Sequence, residues 1–202
     1  YAPENIIDNS YFSQFMDTSD QWIQERTGLQ ERRFVDKGQG PSDTAIPAVK
    51  MALEDANLCV NDIDFNYTVF TNLYPEHLDY HGTIEKYFEA KTKLFTSYPN
   101  STAAVINIDN EYGKIISNRC TVPIINTSMI SNTDISFLDN KISIDGIYGT
   151  INAGKISYNI KSSMIGAFNA ENILCATAVS KVMGINKKAI EDGSNSLKES
   201  LK

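Results

Sequence analysis

Apolar positions fall at helical spacing along some stretches of this chain and in short continuous or alternating runs along others. In the first third, Thr18-Ser19-Asp20 reads as an N-cap region, and the helix it opens, Asp20 to Thr27, stops at Gly28. Arg32 to Val35 is a short strand candidate, and Gly38-Gln39-Gly40-Pro41 is a loop. Ile46, Val49, Ala52, Leu53 and Ala56 recur at helical spacing and predict a helix from about Thr44 to Ala56. Pro47 is tolerated only in a first turn, so this helix is expected to begin later than Ser42 suggests.

The pattern changes after Asp64. Phe65 to Thr71 is an apolar, β-rich run, followed by a polar loop from Asn72 to Gly82 and a helix capped by Thr83 with Glu85 in its first turn. Ala103 to Ile108 reads as a strand, Tyr112 to Asn118 as a helix, and Thr121 to Thr127 as another strand. This β-α-β-α-β rhythm implies a parallel sheet with helices on its faces. Ile135 to Ile160 reads as antiparallel strands with turns at Asp139-Asn140, Asp145-Gly146 and Ala153-Gly154. Asn169 to Met183 is an apolar, Ala-rich helix, and Glu191 to Lys202 a polar helix or frayed end. The expected class is α/β: a mostly parallel sheet with flanking helices plus antiparallel strands, preceded by a mainly helical N-terminal segment.

Composition narrows the classes. The 202 residues are 42% hydrophobic and 21% charged, which excludes disordered, collagen-like and mucin-like chains. A net charge of -7 argues against a nucleic-acid surface, which needs a surplus of Lys and Arg. Cys59, Cys120 and Cys175 lie far apart, which predicts neither a disulfide framework nor a Cys-based zinc site and fits a reducing cytoplasm. No apolar run approaches the ~20 residues of a membrane span. Tyr1-Ala2-Pro3-Glu4-Asn5 lacks the charged and apolar regions of a signal peptide, and also an initiator Met.

Candidate chemistry lies mainly past the first predicted parallel strand. His77 and His81, in Glu76-His77-Leu78-Asp79-Tyr80-His81, sit beyond its carboxyl end, where open α/β sheets bind ligands. They are either loop histidines or, with Asp79, a transition-metal site. Lys91 falls seven residues after Ile84, four after Tyr87 and three after Phe88, on the apolar stripe of its helix. It is either a snorkelling lysine or a desolvated amine available for chemistry. Asn169 suits a helix cap, Asn172 lies one turn further in, and Asp109 is expected to cap the helix at Tyr112 or hold a ligand. Trp22 and Arg26, one turn apart, are placed to stack. Cys120 reads as a structural cysteine at a strand start. No Gly-rich phosphate loop and no G-x-S-x-G elbow occurs.

Two resemblances gather these motifs. Residues 65–202 resemble the central ATPase domain of the Mur ligases, in particular the branch that forms UDP-N-acetylmuramoyl-tripeptide. The matching stretches are Phe70-Thr71-Asn72-Leu73, Glu76 to Thr83, Ala90-Lys91-Thr92-Lys93-Leu94-Phe95, Asn107 to Gly113, and Gly166 to Asn172, in the family's order and spacing. Residues 1–64 resemble the N-terminus of β-ketoacyl-[acyl-carrier-protein] synthase III through Tyr1 to Asn5, Met16 to Ile23, Glu25-Arg26-Thr27-Gly28, Glu31-Arg32-Arg33, and Ala52 to Ala56 running to Asp62-Ile63-Asp64. The chain thus reads as two fused fragments, 1–64 and 65–202, from a recombined or truncated reading frame or a deliberate chimera.

The ligase resemblance implies a cytoplasmic enzyme of peptidoglycan-precursor synthesis, with roles in cell-wall biogenesis, cell shape and cell division. ATP and magnesium would activate the carboxylate of a UDP-N-acetylmuramoyl peptide as an acyl phosphate, and an amino acid's amine would attack it. By that resemblance His77 would bind a magnesium ion, and Lys91 would be carbamylated to give a hard metal an oxygen ligand. Asn169 and Asn172 would lie near the adenine, and Asn72 and His81 on the muramoyl-substrate side. Glu76 and Asn110 replace two of the family's usual aspartates. The family's phosphate loop, first magnesium carboxylate and outer domains have no counterpart in the sequence, so no turnover is expected from this chain alone. The synthase resemblance implies fatty acid biosynthesis and coenzyme A contacts at Thr18, Trp22 and Arg26, without a catalytic triad. An acyl-CoA-binding fragment and a non-catalytic folded remnant are the alternatives, and a small His/Asp metal hydrolase is a further one.

Overall fold

The computed structural model describes residues 1–75, 81–98 and 100–197. The chain forms two compact units, Tyr1–Ile63 and Asp64–Lys202.

In the first unit β1 (Asn5–Asp8) pairs antiparallel with β2 (Glu31–Phe34), with Asn5 opposite Phe34 and Asp8 opposite Glu31. Between them lie α1 (Asn9–Phe12) and α2 (Asp20–Thr27), and α3 (Pro41–Asp55) follows. α2 begins and ends as its sequence predicts: the Ser19 hydroxyl accepts the Trp22 N–H at 3.1 Å, and Gly28 closes it at φ +72°. Asn9, 1% exposed, ties the unit together. Its amide donates to the Asp20 carboxylate and the Leu29 carbonyl, both at 2.8 Å, and its oxygen accepts from Arg32 at 2.6 Å.

α3 corrects the expectation drawn from Pro47. The helix starts at Pro41, where proline's missing N–H costs nothing, and the Gly40 N–H donates to the Asp43 carboxylate at 2.7 Å. Pro47 sits inside, losing the single bond its nitrogen would make to the preceding turn. The predicted apolar face is not a core within this unit, since Ile46 and Val49 are 52% and 54% exposed.

The second unit is built on a six-stranded sheet in the order β3-β4-β5-β6-β7-β8. β3 (Tyr67–Phe70), α4 (Ile84–Thr96), β4 (Ala103–Asn107), α5 (Glu111–Arg119) and β5 (Ile124–Ser128) form the parallel, helix-connected part. β6 (Ile135–Ser143) is also parallel to β5, yet no helix links them. Only Thr127–Ile135 and Ser128–Ser136 are paired, so β6 starts beside the end of β5 and runs past it, and a short loop suffices. β7 (Gly146–Ala153) and β8 (Ile156–Ser162) complete an antiparallel meander, and α6 (Ala167–Val182) and α7 (Lys187–Ser196) follow.

Alternation along β4 divides the core in two. Ala104 and Ile106 join Phe70, Phe88, Phe95 and Ile116 under α4 and α5. Val105 points the other way and joins Ile135, Phe137, Ile151 and Leu174 under α6. Each fully buried side chain of this size contributes about 1.5–3 kcal/mol. α7 is longer and better packed than a frayed tail: Asn186 caps it, Ile190 and Ser194 are buried, and the Glu191 carboxylate accepts the Asn159 N–H of β8 at 2.7 Å.

The turn expected at Asp139-Asn140 is instead a bulge inside β6, between Ser136 and Asp139. Asn140 donates to the Phe137 carbonyl three residues back, which lets the strand absorb the irregularity. Opposite it, Gly149 has φ +145°, and a Cβ there would stand 1.9 Å from the Asp139 carbonyl oxygen. Only glycine admits that approach. The turns expected at Asp145-Gly146 and Ala153-Gly154 are present between successive strands.

Candidate functional site at the carboxyl ends of the parallel strands

Parallel strands deliver whatever follows them to one edge of the sheet. Asn72 follows β3, Asp109 and Asn110 follow β4, and Met129 follows β5. The first turns of α6 bring Asn169, Glu171 and Asn172.

Asp109 does not cap α5. Asn110 does, its side-chain oxygen accepting the Gly113 N–H at 2.8 Å. Asp109 instead accepts the Ser128 hydroxyl on one carboxylate oxygen and the Met129 N–H, at 2.7 Å, on the other. The Ser128 hydroxyl in turn accepts the N–H groups of Ile130 and Ser131 at 3.1 and 2.8 Å. The ends of β4 and β5 are thereby tied together through Asp109 and Ser128.

Asn72 donates to the Glu171 carboxylate at 3.1 Å, joining the end of β3 to α6 across 99 residues of sequence. Asn169 is not an N-cap acceptor: α6 starts at Ala167, and the buried Asn169 amide donates back to the Ile165 carbonyl at 2.8 Å. Asn172 is exposed. Beneath them lies Cys175, 2% exposed, with its sulfur 3.7 Å from the Thr127 hydroxyl. Burial pushes its thiol up from 9.0 to about 11, and the Glu171 and Asp109 carboxylates add to this against the Thr127 hydrogen bond. Burial and the raised thiol both disfavour the thiolate that a nucleophile or metal ligand needs.

α4 supplies the second half of the site. Thr83 caps it through the Lys86 N–H at 3.3 Å, and Phe88, Thr92 and Phe95 form its buried stripe. Lys91 lies at the edge of that stripe, half-buried, with its Nζ 4.9 Å from the centroid of the Tyr87 ring. The His81 ring stacks on the same tyrosine at 4.7 Å with a 28° tilt. Thr71, Asn72, Ala90, Lys91 and Leu94 line a hollow of about 290 Å³, so Lys91 and Asn72 face one space. His77 and Asp79 lie outside the described residues. Among the described residues no three His, Cys, Asp or Glu side chains gather in a way that could hold a metal ion. Cys120 stands at the C-terminal cap of α5 rather than at a strand start.

In the first unit the Arg26 guanidinium stacks over Trp22 at 5.1 Å, as its spacing predicts, and Trp22 is 52% exposed. The Thr18 hydroxyl is buried and has no hydrogen-bond partner among the described residues.

Sequence reasoning missed Tyr87, Ser128 and Glu171 as parts of the site. Tyr87 and Glu171 neighbour residues it did single out, Lys91 and Asn172, one helical turn or one position away. The Ser128 contact is long-range and left no local signal.

Comparison with known proteins gives the arrangement a context. A family model described as the Mur ligase middle domain matches residues 37–180, reaching back into the first unit. A UDP-N-acetylmuramoyl-L-alanyl-D-glutamate--2,6-diaminopimelate ligase of Streptomyces coelicolor is 30% identical over 180 residues, 87% of this chain and 35% of the relative. A solved ligase of the same description superposes with a TM-score of 0.63 at 28% identity, over 75% of this chain and 32% of that one. A β-ketoacyl-[acyl-carrier-protein] synthase III of Staphylococcus epidermidis is 53% identical over 64 residues, 32% of this chain and 20% of the relative. The chain thus spans about a third of the ligases it matches.

Proposed function

The chain belongs to the Mur ligases, and on that premise we propose that residues 65–202 carry part of the site of an ATP-dependent amide ligase of peptidoglycan-precursor synthesis. The substrates are a UDP-N-acetylmuramoyl peptide and an amino acid, in the cytoplasm. The observation that carries this reading is the shared hollow: Asn72 and Lys91 line one space at the carboxyl ends of the parallel strands, and Asn72 is tied to Glu171 of α6.

Such a reaction needs positioning and charge neutralisation more than covalent participation by the protein. Magnesium, when bound, supplies the neutralising charge. Lys91, half-buried and lining the hollow, is the residue that after carbamylation offers a carboxylate-like oxygen to a hard cation, with His77 as its companion. Asn169 and Asn172 flank the adenine, and Asn72 and His81 orient the muramoyl peptide. The sequence carries no Gly-rich phosphate loop, so this chain alone is proposed to bind without turning over.

A second reading rests on the first unit. The buried, unpartnered Thr18 hydroxyl and the Trp22–Arg26 stack suit a nucleotide-bearing thiol carrier, coenzyme A, with Trp22 against the adenine.

Thermal unfolding of the chain with Mg-ATP, UDP-muramoyl dipeptide or coenzyme A separates these readings, because a ligand that binds only the folded state raises the midpoint. A shift with Mg-ATP that His77→Ala abolishes is the expected result. A shift with coenzyme A alone moves the function to the first unit, and amide formation from ATP, amino acid and dipeptide overturns the inactivity.

A further inference from the structure

Tyr87 is shared by two candidate site residues. The Lys91 Nζ lies over its ring at 4.9 Å, reached from one turn further along α4, and the His81 ring stacks on it at 4.7 Å from the N-terminal side. An aromatic face carries partial negative charge and attracts an ammonium group. It repels an anion for the same reason. The sign of the charge at Nζ therefore decides whether the ring holds this side chain or expels it.

We infer that Tyr87 is a positioning residue that seats the uncarbamylated Lys91 side chain, and that carbamylation drives Nζ off the ring toward the adjoining hollow. This rests on the proposed chemistry of Lys91. In that step the ammonium gives one proton to water, and the freed nitrogen lone pair forms an N–C bond to dissolved carbon dioxide. One C=O π pair moves onto oxygen, and a second proton leaves nitrogen for water. Nζ then carries a carboxylate instead of a positive charge, and the attraction to the ring is lost. The hollow lined by Thr71, Asn72 and Leu94 lies next to the Lys91 stem, which is long enough to swing into it. In the seated state Tyr87 opposes carbamylation and keeps Lys91 within reach of the ring that also holds His81.

The experiment is ¹³C NMR of the full chain at fixed pH, titrated with ¹³C-labelled bicarbonate and carbon dioxide. The parent is compared with Tyr87→Phe, Tyr87→Leu and Lys91→Arg. A carbamate resonance absent from Lys91→Arg identifies the site. Removing a cation–ring contact of this kind is expected to tighten carbon dioxide binding about two- to five-fold in Tyr87→Leu, while Tyr87→Phe, which keeps the ring, matches the parent. The Lys91 ε-methylene protons supply a second readout. They are expected upfield in the parent and in Tyr87→Phe through the ring current, and to lose that shift in Tyr87→Leu and on carbamylation.

A carbamate that forms with equal affinity in all three Tyr87 forms, or ε-protons without an upfield shift in the parent, overturns the positioning role and leaves the proposed function standing. No carbamate in any form overturns the proposed role of Lys91 and this inference with it.

Discussion

Gly113 sets two effects of opposite sign against each other, and the structure says which wins. It is the third residue of α5, and its N–H is held by the Asn110 cap. Alanine in a helix is favoured over glycine by up to about 1 kcal/mol, so propensity alone predicts that Gly113→Ala stabilises the chain. A Cβ on Gly113, however, would stand 1.9 Å from the Asn107 carbonyl oxygen and 2.9 Å from its carbon. Ordinary contact begins at 3.4 Å, so helix and strand end must part by roughly 1.5 Å. Both atoms belong to the backbone of β4, and the Cβ would be fixed to the backbone of a capped helix, so neither side can rotate away. Overpacking of this kind costs about 1–3 kcal/mol, and here it falls at the upper end. The expected net loss is about 1–2 kcal/mol. Gly193 in α7 is the control, because a Cβ there meets nothing within 4 Å. Gly193→Ala therefore keeps the propensity gain of about 1 kcal/mol. Thermal unfolding followed by circular dichroism reads both, at about 2–4 °C per kcal/mol for a chain of this size. The midpoint is expected to fall for Gly113→Ala and rise for Gly193→Ala. Two alanines that both stabilise would refute the close approach of α5 to the end of β4.

Other sites yield sharper single outcomes. The Cys175 thiol is raised from 9.0 to about 11 in the folded state, so its contribution to stability is intact below pH 9 and is lost as pH rises toward 11, by roughly 3 kcal/mol at most. Urea unfolding across that range is expected to show the decline in the parent and a shallower one in Cys175→Ala. The Tyr158 hydroxyl, raised by burial and then by Glu191, adds a loss of the same sign above pH 10 that Tyr158→Phe removes. Asp109→Asn presents one oxygen where two are used, turning an amide N–H toward the Ser128 hydroxyl or the Met129 N–H, and is expected to cost about 1–3 kcal/mol in urea unfolding. Asn9→Leu strands the Arg32 and Asp20 groups it joins, and is expected to raise amide hydrogen exchange across α2 and β2 by about ten-fold or more.

The elements of the second unit were legible where local signals agree. Thr83 before an amphipathic run, apolar β4 and glycines at the hairpins each point to one structure, and each does what it predicts. The failures share a cause, which is long-range pairing. The turn chemistry of Asp139-Asn140 lost to the strand ladder, because Gly149 lies opposite and admits the carbonyl that the bulge pushes outward. β1 is four residues long and exists only because β2 pairs with it. On α6 the apolar residues run nearly all round, so periodicity could not say which polar residue turns to the sheet. Packing of Ala170, Ile173, Leu174 and Ala178 decides it, bringing Glu171 to Asn72 and leaving Asn172 in solvent.

The site itself divides into a fixed part and a movable one. Asn72, Asp109 and Ser128 each make at least one side-chain hydrogen bond to a distant element, and shifting any of them breaks bonds worth about 1 kcal/mol or more apiece. Lys91 is different. Among the described residues its ammonium rests on a ring face, a contact worth about 0.5–1 kcal/mol at a partly exposed position. That is close to thermal energy, and the four-carbon stem gives Nζ room to leave. The strand ends therefore act as a frame, and the lysine is the component able to change place and charge within it. On the proposed reading, in which Lys91 becomes a cation-holding group by modification, that freedom is what the chemistry requires, because a lysine locked in strong ion pairs would be held in place by them.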